Sequence, residues 1–131
     1  ILDGDNIRQI LSEEQKYTKK ERLSLAYKYA NLAKIINRYN INVIVSTISL
    51  FHEIHEFNRT NFNKYIEIFL DRDIKEIKKE DIKSIYKKRK NIVGLDIDAE
   101  YPKNPDYIFK NVKENDYPRL SKSIISKFQG R

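Results

Sequence analysis

One stretch of this sequence, Asn42 to Ser49 (Asn-Val-Ile-Val-Ser-Thr-Ile-Ser), is a β-branched run without alternation, and Tyr65 to Leu70 is a second apolar stretch of strand length. A strand wetted on one face shows a period of two, so an unbroken run marks a strand covered on both faces. Helical patterns separate these runs. From Thr18 to Asn37, Leu23, Ala26, Tyr27, Ala30 and Ala33 recur at spacings of three and four, behind a Thr18/Glu21 pair at capping-box spacing. Asn40 closes that helix. A shorter, weaker helix is expected from Glu53 to Phe62. Another runs from Ile74 to Lys88, capped by Asp71 or Asp73, with Ile74, Ile77, Ile82, Ile85 and Tyr86 inward. Ile1-Leu2-Asp3 before Gly4 reads as the end of a buried strand, and Tyr107 to Phe109 as a last short one. A final helix starts near Pro118 and carries Leu120, Ile124, Ile125 and Phe128 on one side. Strands alternating with helices, and buried on both faces, imply an α/β fold: a parallel sheet covered by helices on both faces.

With 131 residues and no internal repeat or linker, one domain suffices. The absence of Cys excludes a disulfide framework, a thiolate zinc site and a cysteine nucleophile. The longest apolar run, around Val43 to Val45, is far shorter than the ~20 residues of a membrane-spanning helix. Net charge is +7, but the excess is local: residues 72–90 carry +5 and the flanking parts +1 each. Those cations form either a solvated helix face or a phosphate-binding surface. A nucleic-acid partner is not expected, because the basic residues are not interleaved with stacking aromatics. The chain has no Met and opens at Ile1, so Ile1 is not expected to be the start of translation.

In parallel α/β sheets ligands bind beyond the carboxyl ends of strands, which selects Asp3 to Arg8 and Ile48 to His55. Asp3-Gly4-Asp5-Asn6-x-Arg8 places two carboxylates and a guanidinium within six residues. Such acids can take a hydroxyl proton or organise magnesium, while the Arg grips an anion through paired donors. The competing reading is a turn followed by a capped helix. His52 and His55 stand three apart beside Glu53 and Glu56, and read as polar helix residues rather than metal ligands. Ser49 has no evident base near it in sequence, so a nucleophilic triad is not expected.

Taken in order, Leu2-Asp3-Gly4-Asp5-Asn6-Ile7-Arg8, Tyr17-Thr18-Lys19-Lys20-Glu21-Arg22, Ile44-Val45-Ser46-Thr47-Ile48-Ser49, Asp81-Ile82-Lys83-Ser84-Ile85-Tyr86, Gly94-Leu95-Asp96 and Glu100-Tyr101-Pro102-Lys103-Asn104-Pro105 resemble the adenylylsulfate kinase family, from residue 1 to about Phe109. The resemblance implies a P-loop nucleotide kinase fold and transfer of phosphate from ATP, with magnesium, to the 3′-hydroxyl of adenylylsulfate. It further implies a small-molecule nucleotide partner and a cytoplasmic place in sulfate assimilation. It admits a homodimer, which nothing in the residues indicates. Carried over by motif, Asp3 and Asp5 are the acids near the attacking hydroxyl and the magnesium. Arg8 and Arg22 grip substrate, Tyr17 stands where the family has a Phe packed on the base, and Ile48, Ser49 and Lys83 line the acceptor site, Lys83 from a basic lid.

Three departures accompany it. No Gly-x-x-x-x-Gly-Lys-Ser/Thr occurs among the 131 residues, so residues 1–131 are expected to be one adenylylsulfate kinase-like domain whose first strand, P-loop and first helix precede Ile1. The stretch between Tyr86 and Gly94 is about five residues shorter than in the family. Where adenylylsulfate kinases have Asn-x-Arg-Arg this chain has Leu25-Ala26-Tyr27-Lys28, and Ser-Pro-Tyr-Arg becomes Ser49-Leu50-Phe51-His52. Ile48-Ser49-Leu50-Phe51-His52-Glu53 with Asn58-Arg59 resembles a bacterial branch linked to surface-polysaccharide modification. Adenylylsulfate is therefore the first expected acceptor, with a cytidine diphosphate derivative as alternative, and a non-catalytic nucleotide-binding remnant as a third reading.

Overall fold

The computed structural model describes residues 1–11, 17–79 and 91–129. In chain order its elements are β1 (Leu2–Asp3), α1 (Gly4–Leu11), α2 (Lys19–Asn37), β2 (Val45–Ser46), α3 (His52–Asn61), β3 (Ile68–Asp71), α4 (Ile74–Lys79), β4 (Tyr107–Lys110), a short 3-10 helix (Glu114–Asp116) and α5 (Tyr117–Gln129). All strand pairing is parallel among the described residues. Leu2 and Asp3 lie opposite Val45 and Ser46, and Ile68 to Asp71 lie opposite Tyr107 to Lys110. The expected alternation of parallel strands and helices is present, as two separate two-stranded ladders.

Helix α2 forms where the pattern placed it. The Thr18 hydroxyl accepts from the Glu21 amide at 3.2 Å, satisfying one of the unpaired N–H groups of the first turn. After the last turn Asn40 adopts a left-handed backbone, φ 57°, a conformation Asn tolerates better than most residues. The buried face is Leu25, Ala26, Tyr29, Ala30 and Ala33, whereas Leu23 and Tyr27 pack at its margin. The core stripe is thus turned toward Leu25 and Tyr29 relative to the expected one. Phe51, just ahead of α3, and Ile54 on α3 fill it, each 1% exposed. Small Ala side chains on α2 let the two helices approach, and the larger groups interdigitate.

Two expectations need correcting. The run from Asn42 to Ser49 is a strand only at Val45–Ser46, and it is not covered on both faces: Ile44 and Ile48 are 64% and 67% exposed. No described helix packs over these side chains. On α5, Ile125 faces outward while Leu120, Ile124 and Phe128 are half-buried, so the apolar side is narrower than the sequence suggested. Lys83, the basic lid and the continuation of the fourth helix to Lys88 lie outside the described residues.

A charge network joins α3, β3, β4 and α5. The Arg59 guanidinium reaches Glu67 at 3.0 Å and Asp106 at 3.6 Å, and Lys127 reaches Asp106 at 3.4 Å. The Asp106 carboxylate also accepts from the Glu67 amide at 3.0 Å. Both carboxylates are nearly buried, so their charge depends on these partners. Tyr65, against this cluster, has its phenol pushed up to about 12, first by burial and then by the Glu67 carboxylate. Replacing Arg59 with Ala leaves Glu67 without its cation. Because Arg59 is itself 45% exposed, the expected loss of stability is about 2 kcal/mol, to be read as a lower urea midpoint at unchanged slope.

Candidate active site

The β1–β2 ladder brings the two sequence-selected loops together. The Leu2 amide donates to the Ile44 carbonyl at 2.7 Å, and Gly4 then lies directly against β2. A Cβ at Gly4 would meet the Ser46 carbonyl at 3.1 Å and the Thr47 hydroxyl at 3.3 Å. Glycine thus suits a close approach of two backbones, where a Cβ would be tight. From this point α1 begins. The Asp3 carboxylate caps it, with Oδ1 accepting from the Asp5 amide at 3.1 Å and the Asn6 amide at 3.2 Å. The turn-and-cap reading is therefore correct as structure. It does not compete with the chemical reading, because the same cap fixes where the Asp3 and Asp5 carboxyl groups begin.

Arg8, Tyr17 and Arg22 converge beside this turn. The Tyr17 ring has the Arg8 guanidinium 4.7 Å and the Arg22 guanidinium 5.3 Å from its centroid, cation–π geometry for both. Tyr17 itself is in the left-handed region, φ 59°, strained for an aromatic residue. Its carbonyl is held by Arg22 Nε at 3.0 Å, and a second Arg22 nitrogen donates to the Asn91 carbonyl at 2.8 Å. Arg22 thus carries a structural duty that spacing did not reveal. Arg8 differs: its buried Nη1 has no hydrogen-bond partner in the structure. A buried guanidinium N–H in that state is a ready donor for an anionic ligand.

Past β2 the chain continues through Thr47, Ile48 and Ser49 alongside the Gly4 turn. Ile48 is exposed, and the Ser49 hydroxyl pairs with that of Thr47 at 3.2 Å. The His55 ring donates to the Ser49 carbonyl at 2.8 Å, not to its hydroxyl, so no Ser–His nucleophile forms. His52 likewise bonds the Tyr101 carbonyl at 2.9 Å. Both histidines thus serve backbone positioning. Beside them, His52, His55, Arg59 and Glu67 line a cleft of about 70 Å³, of which Arg59 and Glu67 pair with each other.

Sequence reading missed Glu100 in this role. Its carboxylate accepts from Lys19 at 2.8 Å and from the His52 amide at 2.8 Å, joining the start of α2 to the start of α3. The Lys19 ammonium, with the His52 amide behind it, holds the Glu100 carboxyl below the usual range. Glu100 occurred within a quoted motif, but nothing in the spacing says which helix ends it bridges. Asn91 meets Arg22 through a backbone carbonyl, a group that every residue type carries. Tyr29 did leave one, lying four residues from both Leu25 and Ala33 on the buried stripe.

Two carboxylates at a strand end suit magnesium, which takes one or two protein oxygens and completes its shell with water and phosphate. Asp3 and Asp5 fit that donor set. Among the described residues no group of three or more His, Cys, Asp or Glu side chains could hold a metal by themselves. A model of the adenylylsulphate kinase family matches residues 1–110. The chain belongs to this family. Its members are phosphotransferases, so the enzyme class is that of a kinase. A cytidine diphosphoramidate kinase from Campylobacter jejuni is 36% identical over 96% of this chain and 76% of its own length. An adenylyl-sulfate kinase from a Synechococcus strain is 27% identical over 88% of this chain and 68% of its own. Among solved structures, the Mycobacterium tuberculosis APS kinase CysC, in complex with AMPPNP and APS, superposes with a TM-score of 0.82 at 22% identity, covering 99% of this chain and 79% of that one. That likeness establishes the P-loop kinase fold.

In this kinase-family chain the Gly4 contact gives a direct check on the turn. Gly4→Ala is expected to cost about 1–3 kcal/mol, since the Ser46 carbonyl that it meets is backbone and cannot swing away. Chemical denaturation reads the loss.

Proposed function

We propose that this chain binds and activates the acceptor of a kinase reaction in which a phosphoryl group of ATP passes to a hydroxyl of a small nucleotide, and that the acceptor is a cytidine diphosphate derivative. The observation that carries the reading is the convergence of the Asp3–Asp5 turn with Arg8, Tyr17 and Arg22 at the carboxyl end of β1. An Asp carboxylate there takes the proton of the attacking hydroxyl. The unpartnered Arg8 nitrogen pairs with the acceptor's anionic group, and the Tyr17 ring offers a face for its base. Magnesium, held by Asp3 and Asp5 with the phosphates, supplies charge neutralisation when bound.

Support for a cytidine acceptor over adenylylsulfate comes from the 36% identical relative. It also comes from two positions where adenylylsulfate kinases carry polar groups. Here Leu25 is buried in the core, and Tyr27 packs edge-on against Phe57 with its hydroxyl bonded to Glu53. A site lacking donors for a substrate's polar groups rejects that substrate strongly. The reading also includes a phosphate-binding strand and loop encoded ahead of Ile1. The two separate ladders and the exposed side chains of Ile44, Val45 and Ile48 in and beside β2 support this part. Adenylylsulfate is the second reading, favoured by the matched acids and by Arg8 and Arg22.

The test is a phosphotransfer assay on the protein expressed from its whole coding region, with ATP and magnesium. Cytidine diphosphoramidate should be used with a kcat/KM at least about tenfold above that of adenylylsulfate. The reverse order would overturn the acceptor and keep the kinase. Nucleotide binding without transfer to either would establish the remnant reading. In the active protein, Asp3→Asn should lower kcat about 100-fold with little change in acceptor KM. Arg8→Ala should chiefly raise that KM.

A further inference from the structure

Tyr29 is 3% exposed on α2, yet its phenol is not idle in the core: its hydroxyl donates to the Gly4 carbonyl at 2.9 Å. That carbonyl and the Asp5 amide belong to one peptide group, and a peptide group is planar, with its C=O and N–H pointing in opposite directions. The N–H end is the one that donates to Asp3 Oδ1 at 3.1 Å. A single rigid plate is therefore held at both ends, by a buried tyrosine on one side and by the Asp3 carboxylate on the other. Hydrogen bonds in such a chain polarise one another, so the Tyr29 bond also strengthens the bond that orients Asp3.

The rest of the surroundings agree. The strand side of the turn is already fixed by the Leu2 and Asp3 pairing and by the close contact of Gly4 with Ser46 and Thr47. The Gly4–Asp5 peptide is the first of α1, and to its helical and capping bonds the Tyr29 hydroxyl adds one that reaches it from α2. Burial pushes the Tyr29 phenol above its ordinary range, and the Asp5 and Asp3 carboxylates add to this against the opposing effect of Arg8. The hydroxyl thus keeps its proton and remains a donor at any physiological pH.

We infer that Tyr29 is a positioning residue for phosphoryl transfer, its buried hydroxyl locking the Gly4–Asp5 peptide and through it the directions of the Asp3 and Asp5 carboxylates. The inference rests on the kinase reading of the site. A carboxylate that takes a proton must hold its direction to within a fraction of an ångström, so a freed peptide costs rate rather than affinity.

The test is Tyr29→Phe in the full-length protein, which keeps the ring and removes only the hydroxyl. Tyr107→Phe serves as control, because it deletes a comparable bond to the Ser123 carbonyl on α5, away from the site. The expected result for Tyr29→Phe is a fall in kcat of about tenfold, with acceptor KM within about twofold. Amide exchange at Asp5 and Asn6 is expected to accelerate, while exchange in α3 stays as in the wild type. Tyr107→Phe leaves kcat unchanged. Thermal unfolding of both variants ensures that rates are compared per folded molecule. An unchanged kcat, a change confined to KM, or unchanged exchange at Asp5 and Asn6 would overturn the inference. If the wild-type protein transfers phosphate to no nucleotide, the kinase reading fails, and the exchange data alone then decide whether Tyr29 holds the turn.

Discussion

The parallel pairing of Leu2 and Asp3 with Val45 and Ser46 is short, yet the candidate site depends on it. It joins segments more than forty positions apart and brings Gly4 so close to β2 that no side chain fits comfortably between them. Because the backbones meet there, α1 must start at that point, and its first unpaired amides need an acceptor. Asp3 is that acceptor. Its structural task and its proposed chemical task follow from the same placement, and a carboxylate fixed by its neighbours' amides needs less reorganisation when a proton arrives.

Charge is treated differently in the two halves of the chain. Around Arg59 it is neutralised: two nearly buried carboxylates are matched by Arg59 and Lys127, and the result ties α3 and α5 to the second ladder. Around Arg8 it is kept available. Tyr17 supplies an aromatic face to two guanidinium groups, and one nitrogen of Arg8 is left buried without a partner. A closed network stabilises a fold, whereas an open donor beside an aromatic ring suits an anionic ligand with a flat group. The Glu100 bridge between the starts of α2 and α3 keeps the second kind of region aligned.

Much of this was legible in the residues. Periodicity placed α2, and the Thr18/Glu21 spacing placed its first turn, because capping and amphipathicity are local properties. The Asp3 to Arg8 cluster was legible because strand ends in parallel sheets gather ligands. Coverage of the β-branched run was not legible. Ile44, Val45 and Ile48 have the composition of a buried strand, but whether anything lies over them is decided by other segments. The width of the apolar side on α5 was not legible for the same reason: Ile125 is apolar yet 54% exposed, which packing against other segments decides.

The sequence by itself determined the alternation of strands and helices, the parallel class of the sheet, the family and the acids and arginines of the first loop, since each is written in local patterns or in the order of such patterns along the chain. Only the tertiary structure decided that Gly4 lies at a close approach of two backbones, that Arg22 is engaged by backbone carbonyls while an Arg8 nitrogen is not, and that Tyr29 reaches the turn between Asp3 and Asp5. These are contacts between distant segments, and they depend on where a helix sits against a strand end to within about an ångström. No local pattern carries that information.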